Sequence, residues 1–192
     1  MSDIKSIMIV GVGGQGTLLA SRILGSVALD TGADVKISEV HGMSQRGGSV
    51  VTYVKYGKKV YSPIISKGEA DIILSFEELE AFRYASYLKK GTGKMIVNTQ
   101  QIDPMPVIVG AAEYTKDIIE KLENNFNNII PVDALKIAES AGNKKAVNVA
   151  LIGVLASKSE IKKEVWLEAI RKNVPEKFLE ANLKAFEAGY NI

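Results

Sequence analysis

Hydrophobic and polar positions follow two rhythms along this chain, and the switches between them outline its elements. The stretch IKSIMIVGV (residues 4–12) is a short, nearly continuous apolar run that ends among glycines, the pattern of a strand buried on both faces of a parallel sheet. From Gln15 to Asp30 the spacing becomes four: Leu19, Ile23 and Val27 fall on one helical stripe, with Ala20, Leu24 and Ala28 beside it. Gly32 follows as a helix C-cap, and DVKISEV (34–40) reads as a second strand. Strand, glycine loop, helix, strand is the order of a βαβ unit.

After Val40 a loop, HGMSQRGGS (41–49), stands where a second crossover helix belongs in the simplest doubly wound plan. VVTYVKYGKKVYSPII (50–65) then pairs two β-branched and aromatic runs around Gly57, which predicts an antiparallel hairpin. The α/β rhythm resumes with a buried strand in ADIILSF (70–76). A helix over 77–90 follows, acidic at its start and lysine-rich at its end, and KMIVNT (94–99) is a further strand. DPMPVIVG (103–110) reads as an extended segment broken by prolines, and 114–126 as an amphipathic helix. NIIPVDALKIAESAG (128–142) begins as a last short strand and becomes helical. Helices are then expected over 146–158, over 162–173 and from Pro175, the last one carrying Leu179, Leu183 and Phe186 on one stripe and stopping at Gly189. The expected fold is a single α/β domain over residues 1–192. It is a Rossmann-like three-layer arrangement with a mostly parallel sheet, an antiparallel hairpin insertion and a helical C-terminal third from about residue 134.

Composition narrows the chemistry. A chain of 192 residues that is 46% hydrophobic and 24% charged can bury a sizeable core, and a net charge of +2 argues against a nucleic-acid partner. No apolar run reaches the roughly 20 residues of a membrane span, and MSDIKS lacks the features of a signal peptide, so no membrane association and a cytoplasmic location are expected. There is no cysteine, which removes thiol nucleophiles, disulfides and thiolate ligands for zinc or iron–sulfur clusters. His41 is the single histidine, so a multi-histidine metal site is excluded as well, and no metal site is expected.

Two loops carry the candidate chemistry. Gly11, Gly13 and Gly16 satisfy G-x-G-x-x-G between a strand and a helix, and Gly14 adds a fourth glycine. Such a loop permits a tight turn, close approach of a phosphate to backbone, and N–H groups aimed at an anion. Glu39, 23 residues after Gly16, stands near where a ribose-binding acid belongs in a dinucleotide site. Against that reading, Gln15 is expected to project over the anion site, and the 41–49 loop fills the room an adenosine would need. A ligand-free strand-to-helix turn remains open.

The second loop gathers His41, Ser44, Gln45, Arg46, Gly47 and Gly48 between strands. Its glycines can form an anion nest, Arg46 offers a planar fork of donors, and His41 is either a proton shuttle or an imidazole bonded to backbone. An ion pair of Arg46 with Glu39 is the structural alternative. Both loops are expected to leave the C-terminal ends of consecutive parallel strands and to form one composite site.

GVGGQG (11–16) together with EVHGMSQRGGSV (39–50) resembles the gamma-type domain of the 2-oxoacid:ferredoxin oxidoreductases, and its form is that of the small beta subunits in the indolepyruvate branch. The resemblance runs over essentially the whole chain. It implies oxidative decarboxylation of an aryl-pyruvate with coenzyme A, giving an acyl-CoA, carbon dioxide and reduced ferredoxin. Thiamine diphosphate, magnesium and the iron–sulfur clusters would sit on a large alpha subunit, so no cofactor is expected on this chain alone. The small subunit would complete the active site and coenzyme A access, and would meet ferredoxin only indirectly. By position, Gln15, His41, Ser44, Gln45 and Arg46 would stand near the active-site entrance. Gly11, Gly13, Gly14, Gly16, Gly47 and Gly48 would shape the backbone there. No residue is assigned as nucleophile. Two other readings stay open: a stand-alone NAD(P)-binding oxidoreductase or redox sensor, and a non-catalytic assembly protein.

Overall fold

The computed structural model describes residues 4–42 and 47–192. Six strands, β1 (Lys5–Val12), β2 (Asp34–His41), β3 (Ser49–Gly57), β4 (Ile72–Ser75), β5 (Lys94–Asn98) and β6 (Ile129–Val132), form one sheet in the order β2-β3-β1-β4-β5-β6. β1, β4, β5 and β6 are parallel, whereas β3 runs antiparallel to both β1 and β2. The helices are α1 (Thr17–Asp30), α2 (Glu78–Tyr84), α3 (Met105–Ile108), α4 (Ile118–Glu123), α5 (Ala134–Ser140), α6 (Val147–Ser157), α7 (Lys163–Asn173) and α8 (Glu176–Tyr190).

The apolar run of β1 serves two cores. Ile7 and Ile9 face a layer built from α1 and the C-terminal helices, while Met8 and Val10 face the layer of α2 and α4. Consecutive side chains of a strand point to opposite faces, so a central strand covered on both sides must be apolar throughout. α6, VNVALIGVLAS, is buried around almost its whole circumference and packs against α8. There Gly153 and Gly189 let the helix backbones touch: a Cβ on Gly189 would lie 2.0 Å from the carbonyl oxygen of Ala150.

Several sequence expectations are corrected here. The antiparallel hairpin joins β2 to β3 across residues 42–48, not two halves of 50–65 around Gly57. Residues 58–65 form no strand; Val60 and Ile65 are buried there as core anchors, and the Val60 N–H donates to Asp34 Oδ2 at 2.9 Å. β1 and β2 do run the same way, but β3 lies between them, so they are not neighbours. The 77–90 helix is α2 followed by a 3₁₀ turn at Ala85–Tyr87, and 105–108 is a short helix with Pro106 in its first turn, where a missing N–H costs nothing. α4 occupies only the middle of 114–126, and α8 continues through Gly189 to Tyr190. α5 opens the helical C-terminal third at Ala134.

Candidate functional site

The sheet order reverses between β1 and β4. The chain leaves β1 through α1 towards β2 on one side and leaves β4 through α2 towards β5 on the other. Open α/β sheets bind ligands at the carboxyl ends of their strands beside such a reversal. The glycine loop occupies that position.

Gly16 is the N-cap of α1, with φ 84°, and a Cβ there would lie 2.5 Å from Asn148 Nδ2. Only glycine accepts both the left-handed backbone and the close approach of α6. Gly14, with φ 104°, has open space around the position of a Cβ. No side chain caps α1 and no acidic residue lies in its first turn, which leaves the positive end of the helix dipole without a neutralising carboxylate of its own.

Gln15 does not project over this site, contrary to the sequence expectation. Its Oε1 accepts from the Val12 N–H at 2.8 Å, and its Nε2 donates to the Phe76 carbonyl at 2.9 Å and to Gln100 Oε1 at 3.3 Å. The amide therefore bridges the ends of β1 and β4 beneath the loop. Gly11 makes this possible, because a Cβ there would stand 2.8 Å from Gln15 Oε1 and 2.9 Å from Phe76 Cβ.

The two loops do lie side by side, by a different route from the one expected. β3 returns next to β1, and the Gly13 N–H donates to the Gly48 carbonyl at 2.8 Å while the Gly47 N–H donates to the Gly13 carbonyl at 3.3 Å. This reciprocal pair clasps the second loop onto the first. Ser44, Gln45 and Arg46 lie outside the described residues. His41 is exposed at the end of the edge strand β2, its Nδ1 3.1 Å from the Gly42 carbonyl, with β3 between it and β1. Glu39 lies on the same outer strand, level with Thr52 and Ile9, and accepts from Thr52 Oγ1 at 3.4 Å. Two strand spacings put it about 10 Å across the sheet from β1 and below the glycine turn, not beside a ribose site.

Sequence reasoning missed the acidic floor of the site. Glu77, Glu78 and Glu80, in the first turn of α2, are all buried. Glu77 caps the helix by accepting from the Glu80 N–H at 2.9 Å, and its other oxygen accepts from the Ile102 N–H at 3.1 Å and from the Tyr114 hydroxyl. Burial, with the Glu77 carboxylate as hydrogen-bond partner, raises the Tyr114 phenol well above its ordinary value. Glu78 accepts from Gln101 Nε2 at 2.8 Å. Glu80 accepts from Ser49 Oγ, directly under the clasped loop, and lies 3.5 Å from Arg83 Nε. Burial pushes the Glu78 and Glu80 carboxyls up, against the hydrogen bonds they accept. Asn98, 1% exposed, ties the floor to α5 by donating to the Phe76 carbonyl at 2.9 Å and accepting from the Ala134 N–H at 3.1 Å. Three glutamates in one turn after a buried strand were the available signal, but surface acids at a helix start look the same in sequence.

The described residues hold no group of three or more histidines, acids or cysteines arranged to bind a metal ion. None of their helices is long and apolar enough to cross a membrane.

A mostly parallel sheet with one antiparallel strand set inside it and clasped glycine loops at its edge defines the class, and the comparisons with known proteins agree. The family model for pyruvate ferredoxin/flavodoxin oxidoreductase matches residues 6–192, and the chain belongs to that family. Within it, the chain is similar to the indolepyruvate oxidoreductase subunit IorB of Thermococcus kodakarensis, 46% identical over 96% of this chain and 93% of the relative. The gamma subunit of a keto/oxoacid ferredoxin oxidoreductase from Geobacter sulfurreducens shares the fold with a TM-score of 0.72 at 23% identity, covering 97% of this chain and 96% of that one. A 2-oxoglutarate:ferredoxin oxidoreductase chain from Magnetococcus marinus, solved with 2-oxoglutarate, coenzyme A and succinyl-CoA, gives a TM-score of 0.74 at 15% identity. It covers all of this chain and 31% of its own length.

Proposed function

We propose that this chain is the small, non-autonomous subunit of an indolepyruvate-type 2-oxoacid:ferredoxin oxidoreductase, completing the active site and the coenzyme A entrance on a large subunit. The observation that carries the reading is the Gly13–Gly48 clasp, which sets both glycine-bearing loops over the strand reversal between β1 and β4. The relatives named as indolepyruvate oxidoreductase subunits support the reaction class. Thiamine diphosphate supplies the carbanion chemistry of such a decarboxylation, and iron–sulfur clusters carry the electrons. A chain without cysteine has no thiolates for a cluster, so the ligands belong to the partner. Met105, Ile108 and Val109 are 63–66% exposed just beyond the chain leaving β5, an apolar surface suited to the large subunit.

The NAD(P) reading finds less support. With β3 between β1 and β2, the acid that would hold a ribose is displaced, and the Gly13 N–H that a pyrophosphate would use is already donated to the Gly48 carbonyl.

Arg46 is assigned to coenzyme A. It is the permanent charge of its loop, and the phosphates of coenzyme A must enter across the subunit boundary. A charge-assisted contact of this kind contributes about 1.5–3 kcal/mol. Arg46→Ala in the reconstituted complex should raise the KM for coenzyme A roughly ten- to a hundredfold and move the oxo-acid KM much less. A rise confined to the oxo-acid KM, or loss of assembly, ends the assignment.

A further inference from the structure

The edge of the sheet opposite the glycine loops carries a second concave site. β1, β4 and β5 begin there and β3 ends there, roughly 23 Å from the loops by the rise of an eight-residue strand. A pocket of about 570 Å³ opens at this edge, within the range of small-ligand sites. Its more deeply set lining is apolar and serves as the floor: Ile7 is buried, and Ile72, Ile161 and Tyr56 are half-buried. Its rim is cationic: Lys5, Lys58, Lys89, Lys94 and Lys158 line it against two carboxylates, Asp71 and Glu160. Among the described residues only Lys89 of these five is ion-paired, with Asp71 at 3.4 Å.

Some cationic charge is expected here for a structural reason. α1 and α6 both end at this pocket, and each helix C-terminus carries about half a negative charge that a nearby lysine offsets. Two helix ends offset about one charge. The lysines exceed the lining carboxylates by three, so about two positive charges are left over at a concave surface with an apolar base. Like charges around one pocket repel, and an anion placed among them offsets that repulsion. The chain as a whole carries only +2, so the excess is concentrated at this edge and does not reflect a uniformly basic surface.

We propose that this pocket binds a small polyanion of nucleotide size, its phosphates held by the Lys58, Lys94 and Lys158 ammonium groups and its apolar body laid on the Ile7, Ile72 and Tyr56 floor. The site is separate from the glycine-loop edge, and it stands whether or not the chain acts as an oxidoreductase subunit.

Calorimetry on the full chain tests this, with metal-free ATP as probe and tripolyphosphate and adenosine as its charged and uncharged halves. ATP should bind, adenosine should not, and tripolyphosphate should bind several-fold more weakly than ATP because it leaves the floor uncovered. Lys94→Ala/Lys158→Ala should weaken ATP by about tenfold or more, and Lys58→Ala/Lys94→Ala should do the same. Raising the salt concentration should weaken it further. Lys58 and Lys94 are exposed and Lys158 is half-buried, and unchanged melting temperatures of both variants confirm intact folding. No heat from ATP overturns the proposal. So does wild-type affinity in both variants, which would put the nucleotide elsewhere, or equal affinity for ATP and tripolyphosphate, which would leave the floor without a role.

Discussion

Replacing Gln15 separates a loop designed to carry an amide to a ligand from one whose amide closes the sheet. In Gln15→Ala the Val12 N–H loses its acceptor in a position 7% exposed, while the Phe76 carbonyl keeps the Asn98 Nδ2 donor at 2.9 Å. One orphaned backbone N–H in a largely buried place costs about 1–3 kcal/mol. For a chain of this size about 2 kcal/mol lowers the melting temperature by about 4–8 °C. Gln15→Glu is the sharper variant. It retains the acceptor for Val12 but turns an anionic oxygen towards the Phe76 carbonyl and Gln100 Oε1, where an N–H now donates. Thermal and urea unfolding of both variants should therefore rank wild type above Gln15→Ala above Gln15→Glu. Gln15→Ala within about 0.5 kcal/mol of wild type would refute the bridging role, and so would Gln15→Glu more stable than Gln15→Ala.

Gly189→Ala should destabilise by about 3 kcal/mol or more, because its Cβ would stand 2.0 Å from the Ala150 carbonyl oxygen and α8 would have to move off α6; unchanged unfolding in urea would show that the two helices part without cost. Glu80 is a carboxyl raised by burial, and Arg83 and the Ser49 hydroxyl only partly offset this, with Glu77 adding to the rise. The folded state then holds this proton more tightly than the unfolded state, so stability falls as pH rises from the ordinary glutamate value through the raised one. Glu80→Gln keeps an acceptor for Ser49 and should flatten that part of the stability–pH curve; an unaltered curve would place the titration elsewhere.

What the residues disclosed in advance was local. The continuous apolar runs of β1, β4 and β5 and the all-round apolar character of α6 follow directly from burial on every side, and the period of four in α1 from burial on one. Pairing was harder to read. The strand pattern of β3 says that it is extended and covered, but not that it returns between β1 and β2, since the same alternation fits either partner. Val60 and Ile65 supplied the second half of a false hairpin because a coil segment that anchors in the core shows the same apolar residues as a strand.

At the site, the glycines were legible because their chemistry is unusual in any context. The direction of Gln15 was not, because it depends on the Phe76 carbonyl and Gln100, 61 and 85 residues away in the chain. Glu77, Glu78 and Glu80 were hidden by their position: acids at a helix start are normally solvated, whereas these accept hydrogen bonds from Gln101, Ile102, Ser49 and Tyr114, which come from distant parts of the chain. The meeting of the loops was inferred correctly from the strand-edge rule, although the antiparallel return of β3 is what brings Gly48 to Gly13.

The central claim, a subunit that acts only in company, is tested most directly by measuring ferredoxin reduction dependent on indolepyruvate and coenzyme A in three samples: this chain, the large thiamine-bearing subunit proposed as its partner, and the two together. The account predicts no turnover by this chain, little by the partner, and full activity on mixing, with the two eluting as one complex. Reduction catalysed by this chain alone, or a partner whose rate is unchanged by its addition, would contradict it.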